Sequence, residues 1–357
     1  MDFYNKQDGL KYVLQQRSNG ITPYSERKEL PDPREEYVKR FHVVEEKMNR
    51  EWHLQVNLGA ALADGNLLTN HGVQHVQDVI RHAFDIISDV NRLTGYEIYI
   101  LLLAIHFHDV GNIYGRTNHE QKIYEVFDAL GNELPLKTPE KQFISDIATA
   151  HGGSYNGDKD TIRSITTYDQ KYDNIDFRPK LLAAILRFAD EISDDCNRSF
   201  PHVEIPVQNQ VYHEYSKTLD PISITGDTLI MNFRIPFELT QKKLGKGNGE
   251  IFLYDEIKLR LAKLMRELEY CKKYAGDTIK LTSLSVTIEI LQNNSIHRIC
   301  GASDAIRLSL QGYPDENLHS FEVYREKHDS MTGEEKVLKY KDGEDMKKKV
   351  SEEVSNG

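Results

Sequence analysis

Five short pieces of this sequence carry side chains able to hold metal ions. They are His71-Gly-Val-Gln-His75, His106-Phe-His108-Asp109-Val-Gly111, Asn118-His119-Glu120, Ala150-His151-Gly152-Gly153 and Arg187-Phe-Ala-Asp190-Glu191. Their donors mix imidazole and carboxylate, a set that suits a catalytic first-row divalent ion. His108 and Asp109 are the most telling pair. Adjacent residues on a helix diverge by about 100°, so the two can share one ion only where the helix ends. Val110-Gly111 supplies that break. An Asp at such a place has two oxygens, which can bind one ion or bridge two. His75, on a helix with an apolar face, and Asp190, closing the apolar run from Leu181 to Phe188, bring the donor residues to four. His119 and His151 could then hold a second ion across Asp109. A single buried His is more often a satisfied core residue than a ligand. The order His, His-Asp, His, His, Asp over successive helices is what favours metal.

The elements that must position these residues are mainly helical up to about residue 195. Residues 1–34 read as an N-terminal arm with one short helix. Asp32-Pro33 looks like a cap and first-turn proline. After it, Tyr37, Phe41, Val44, Met48, Trp52 and Val56 recur at helical spacing to about residue 60. A second helix is expected from Thr69 or Asn70, ended by Gly95. A third, from Tyr96 to Asp109, is apolar on nearly all sides and belongs in the centre of the fold. Others are expected at about 118–130, 139–151 and 178–195, with a long loop over 153–177. After Pro201 the pattern changes. Strands are expected at 210–216, 221–225, 228–236 and 279–291, with helices at 252–275 and near 303–311. The tail from about Arg325 is rich in charge and poor in large apolar residues, so disorder is expected there. The predicted fold class is therefore mainly α. A helical metal-binding domain over 35–200 precedes a smaller α+β region over 201–324 and a charged tail over 325–357.

Bulk properties narrow the function classes. The formal net charge of −11 on 357 residues makes the surface acidic overall, which disfavours large nucleic-acid duplexes and anionic lipid as partners. Bound divalent ions would still create a local cationic pocket. Three widely spaced cysteines, Cys196, Cys271 and Cys300, fit neither a disulfide framework nor a thiolate zinc site. The first residues lack the apolar core of a signal peptide. The apolar run Ile98 to Ile105 is too short to span a membrane. A cytoplasmic protein with no membrane partner is the simplest expectation.

The order H…HD…H…H…D resembles the HD superfamily of metal-dependent phosphohydrolases, over about residues 66–198. NHGVQHVQDV is similar to the first-ligand helix of that family, LLLAIHFHDVG to its signature helix, and NHEQKIYEVF and ISDIATAHGG to the later His segments of dinuclear members. LLAAILRFADEISDDCNR is similar to the final Asp helix. Among branches, the likeness runs to dinucleoside-tetraphosphate hydrolases and to HD proteins of bacterial conflict and antiviral defence systems. One departure stands out. Many members carry Lys or His three positions after the HD Asp, where this chain has Asn112.

The resemblance implies an HD-type helical bundle and hydrolysis of a phosphate ester or anhydride by a metal-activated water. Its cofactors would be one or two divalent ions among Mn, Fe, Ni, Co, Zn and Mg. His75, His108, Asp109, His119, His151 and Asp190 are the ligands so implied. The implied partner is a small nucleotide-type substrate, with short single-stranded nucleic acid as a second class and a homo-oligomer as a further arrangement. Beside the ligands, His71 is the first candidate for a substrate-contacting general acid, against a plain helix-start role. Arg116 and Arg198 are candidates to clamp phosphate, against surface ion pairs. Glu120 and Asp194 could orient ligating imidazoles, against plain helix-surface acids. His106 is expected in the core, and His82 behind the site or at the surface. Gly152-Gly153 could bind phosphate or simply end a helix. Three rival readings share the ligand set: a di-iron oxygenase, a nucleotide-sensing regulatory module and an HD nuclease.

Overall fold

The computed structural model describes residues 3–64, 69–166, 170–199, 204–292, 298–310, 320–329 and 331–356. The chain divides into two compact units, residues 1–193 with 271–279, and residues 194–270 with 280–357. No helix among the described residues is long and apolar enough to cross a membrane.

The first unit is nearly all helix: α1 (Leu10–Ser18), α2 (Tyr37–Lys47), α3 (His53–Asp64), α4 (Val73–Ile86), α5 (Gly95–Phe107), α6 (Ile123–Leu130), α7 (Thr138–Thr149) and α8 (Pro179–Glu191). A π-helical turn, Met48–Trp52, joins α2 to α3, so the helix expected from residue 35 to 60 runs through one local widening. Every residue of α5 is buried, as its all-round apolar sequence requires. Thr94 caps α5 reciprocally with Glu97. Gly95 therefore opens α5, whereas the sequence reading had it close the preceding helix. That helix, α4, begins at Val73 and stops at Ile86. The expected loop over 153–177 contains a 3-10 turn at Ile162–Ser164 and a hairpin, β1 (Gln170–Tyr172) with β2 (Ile175–Phe177). The N-terminal arm is packed rather than loose: Leu10 and Leu14 are fully buried, and Lys11 pairs with Glu45.

The second unit holds α9 (Gln210–Thr218), β3 (Ser223–Thr225), β4 (Thr228–Pro236), α10 (Phe237–Thr240), β5 (Leu244–Lys246), β6 (Gly249–Ile251) and α11 (Leu253–Ala275), whose last turn belongs to the first unit. Then come β7 (Ser283–Leu291), β8 (Arg298–Ser309), α12 (Phe321–Tyr324) and α13 (Gly343–Asn356). Its sheet has the order β3-β4-β7-β8, parallel between β4 and β7 and antiparallel elsewhere. The fold is thus mainly α with a C-terminal α+β region.

Three expectations fail here. The strand expected at 210–216 is α9, because so short a stretch of mixed residues fits both periods. Its Tyr215 settles against Phe233 of β4. The helix expected near 303–311 is β8, where Asp304, Ile306 and Leu308 are buried in alternation and pair with β7. The tail expected to be disordered carries α13. Tyr340, Met346 and Val350 are buried there, so three well-placed apolar side chains suffice to order a charged segment.

Candidate metal centre

The end of α5 is the pivot of the site. His108 is the C-cap of α5, and the chain then turns through a 3-10 segment, Val110–Tyr114. That turn lets two adjacent side chains converge, as the sequence required. Gly111 sits where any side chain would collide, since a Cβ there would lie 2.0 Å from the His119 carbonyl oxygen. The His119 turn is packed directly onto the HD turn for that reason. Asn118, in the left-handed region at φ 52°, starts this second turn.

Six predicted ligands come together in two groups that share Asp109. In the first, donor atoms of His75, His108, Asp109 and Asp190 lie within 4.8 Å of one another, and in the second those of Asp109, His119 and His151 do so. Asp109 divides its oxygens between them. Its Oδ2 lies 3.5 Å from both His75 Nε2 and His108 Nε2. Its Oδ1 lies 3.0 Å from His119 Nε2 and 3.7 Å from His151 Nε2. Asp190 Oδ1, from the end of α8, closes the first group at 3.1 Å from His75 Nε2.

The donor set fits divalent ions. His108 Nδ1 is 2.7 Å from the Ile105 carbonyl oxygen and His151 Nδ1 is 2.5 Å from that of Ala148. Donation of Nδ1–H to a carbonyl leaves the Nε2 lone pair facing the cluster, the tautomer a metal ligand needs. His75 Nε2 and His108 Nε2 approach to 3.3 Å, so both imidazoles turn the same nitrogen toward one point.

Electrostatics agree. Burial pushes the Asp109 carboxyl upward, but the charges of His108 and His71 and bonds from His108 and His119 outweigh it and hold it well below the usual carboxylate range. Asp190 is likewise lowered against its burial, by bonds with His108 and His75. Burial opposes charge on His108, yet Asp109 and Asp190 raise it to about 10. His119 is raised against burial by its bonds with Asp109 and Glu120. Burial instead lowers His151. Protons held on His108 and His119 are ones a metal cation must displace.

His71 is buried, with Nε2 at 3.8 Å from Asp109 Oδ2 and Nδ1 on the Thr69 carbonyl oxygen. It precedes α4 instead of lying on it with His75, because Gly72 caps that helix. Asn57 of α3, which the sequence reading missed, accepts from the His71 backbone N–H. Asn112 donates to both the carbonyl oxygen and Oδ1 of Asp109, at 2.9 and 3.1 Å. It thus orients the carboxylate from the third position after Asp109. Arg116 places Nη1 3.7 Å from Asp109 Oδ1 while 43% of its side chain stays exposed, so it spans the site and solvent. Glu120 Oε2 lies 3.1 Å from His119 Nδ1, and the bond from His119 draws that carboxyl down to about 2. His106 is core, as expected. Its Nδ1 lies 3.1 Å from Nε2 of His53, a partner with no sequence signal beyond its place on a long helix. His82 is buried, 2.8 Å from Ser193 Oγ. Asp194, for which the sequence leaves open an imidazole-orienting or a plain surface role, shows neither an imidazole partner nor a purely surface place among the described residues. It lies in the second unit, accepts from Ser216 and pairs with Arg260. Arg198 also lies in the second unit, at the end of a 3-10 turn, Cys196–Arg198.

Among known proteins, no curated protein and no solved structure matches this chain. The HD-CE family profile matches residues 61–241, which contain all six clustered donors and run on past β4. HD-type domains are typically metal-dependent and hydrolytic. That match covers just over half of the sequence, and the chain belongs to the HD-CE family.

Proposed function

We propose that this protein is a metal-dependent phosphohydrolase that cleaves a phosphate ester or anhydride bond of a small nucleotide-type substrate. The observation that carries the reading is the division of Asp109, with one oxygen toward His75 and His108 and the other toward His119 and His151. A carboxylate so placed suits two adjacent cations. His75, His108, Asp109 and Asp190 would hold the first, and Asp109, His119 and His151 the second. Divalent ions, when bound there, would acidify a water and withdraw charge from phosphoryl oxygens. Asp109 and Asp190 offset only part of their charge, which leaves a pocket that favours an anionic substrate.

The chain's own residues supply the rest. Arg116, tethered beside Asp109 and open to solvent, is placed to pair with a phosphate oxygen. His71, whose Nε2 faces Asp109 Oδ2, is the nearest imidazole outside the two groups and the candidate to protonate the leaving oxygen. Asn112 keeps the Asp109 carboxylate in place through both its bonds.

The test pairs metal analysis of purified protein with a turnover screen. The panel spans nucleoside triphosphates, dinucleoside polyphosphates, cyclic nucleotides and short oligonucleotides. The expected result is bound divalent metal and chelator-sensitive release of phosphate or nucleotide. Tight binding of a nucleotide without turnover would favour a sensing module. Oxygen-dependent chemistry with bound iron would favour an oxygenase.

A further inference from the structure

The ligating imidazoles are backed differently. Behind His108 and His151 stand neutral backbone carbonyls, of Ile105 and Ala148. His75 Nδ1 is buried with no hydrogen-bond partner among the described residues. Among the described residues, His119 alone of the four has a carboxylate behind it. Its Nδ1 lies 3.1 Å from Glu120 Oε2, and also 3.2 Å from the Arg116 carbonyl oxygen. Glu120 is itself held in place from one direction. Thr149 Oγ donates to its carbonyl oxygen at 3.0 Å. Gly153, at φ +69°, lies so close that a Cβ there would come 2.0 Å from Glu120 Oε1. Thr149 and Gly153 flank His151 in sequence. The end of α7 therefore presents His151 directly and steadies His119 through Glu120.

We infer that Glu120 is a positioning residue for the second cation of the pair. Its carboxylate accepts the Nδ1 proton of His119, turns Nε2 toward Asp109 Oδ1, and places a negative charge behind that imidazole alone. The glycine pair after His151 thereby has a physical role of its own: Gly153 makes room for the carboxylate. This inference rests on the reading that Asp109, His119 and His151 hold an ion.

Manganese titration of the full chain, followed by the paramagnetic signal of free ion, tests it on wild type, Glu120→Gln, Glu120→Ala and Gly153→Ala. Gln keeps the volume and can still accept from Nδ1, but lacks the charge. The expected result is two sites in wild type and a weaker site lost by roughly 10- to 100-fold in Glu120→Gln, with the tighter site unchanged. Gly153→Ala should weaken the same site by displacing the carboxylate. Melting temperatures in chelator should match wild type for Glu120→Gln, which separates positioning from folding. Two sites in wild type, with both unchanged in Glu120→Gln and Glu120→Ala, would overturn the inference and leave the Arg116 carbonyl as the acceptor. Equal weakening of both sites would overturn it too. A single site in wild type would instead overturn the two-ion reading, and the inference with it.

Discussion

Asp109 is the residue on which both donor groups depend, because each of its oxygens faces a different pair of imidazoles. Replacing it by Ala removes a donor from each group and leaves Asp190 as the only carboxylate among the clustered donors. Asp109→Ala is expected to abolish turnover and to lower metal content more than any other single change. His119→Ala should lose mainly the second ion, since His75, His108, Asp109 and Asp190 stay intact. Asn112→Ala should be milder, with roughly a 10-fold loss of metal affinity, because it orients Asp109 without coordinating. Metal stoichiometry on the three variants checks the order. If Asp109→Ala retains two ions, the bridging arrangement is wrong.

At the scale of the element, α5 does two jobs. Its buried surface fixes the core, and its C-terminal end delivers His108 and Asp109. Leu102 is fully buried in it. Leu102→Ala should cost about 2–5 kcal/mol of stability, measured by urea unfolding. The turn after α5 is held by contact with the next one, since a Cβ on Gly111 would meet the His119 carbonyl oxygen at 2.0 Å. Gly111→Ala should therefore push the His119 turn away. Loss of the second ion with the first retained is the expected outcome. An unchanged stoichiometry would mean that the two turns adjust without disturbing the donors.

Across the whole molecule, buried histidines contribute to the response to acid. Burial, with Arg81 and His75 nearby, lowers His82 to about 3, and burial with neighbouring cations lowers His106 to about 3. His53 is lowered well below its ordinary value by burial and the adjacent His106. Each stays neutral in the fold while its unfolded counterpart takes up a proton below about 6.5. The unfolded state then binds more protons, so stability is complete above that pH and is lost as pH falls toward 3. His82→Asn keeps a partner for Ser193 and removes one such group. Its stability in chelator should fall less steeply with acid, by up to about 1.4 kcal/mol per pH unit. An identical slope would show that His82 does not stay neutral. In the second unit, deletion of residues 331–357 removes the buried Tyr340, Met346 and Val350. That deletion should lower the melting temperature of the second unit and leave metal content unchanged.

Much of the site is legible in the chain itself. Imidazole and carboxylate near helix ends, with Val110-Gly111 after the HD pair, mark six candidate donors, and the family resemblance completes the set. The all-apolar α5 marks the centre of the fold without any partner being known. What the chain could not specify is whatever depends on residues far apart in sequence. Which oxygen of Asp109 faces which imidazole follows from how four separate segments pack around it. The neighbours Asn57 and His53 have no local signature, because a hydrogen bond to a distant turn leaves none. Segments 210–218 and 298–309 carry periods too short or too mixed to choose between helix and strand. Packing of Tyr215 on Phe233 and pairing of β8 with β7 accompany the outcome. The charged tail reads as disordered for the same reason. Composition counts apolar residues, but order depends on whether the few present find a buried place, and only the tertiary structure provides one for Tyr340 and Val350.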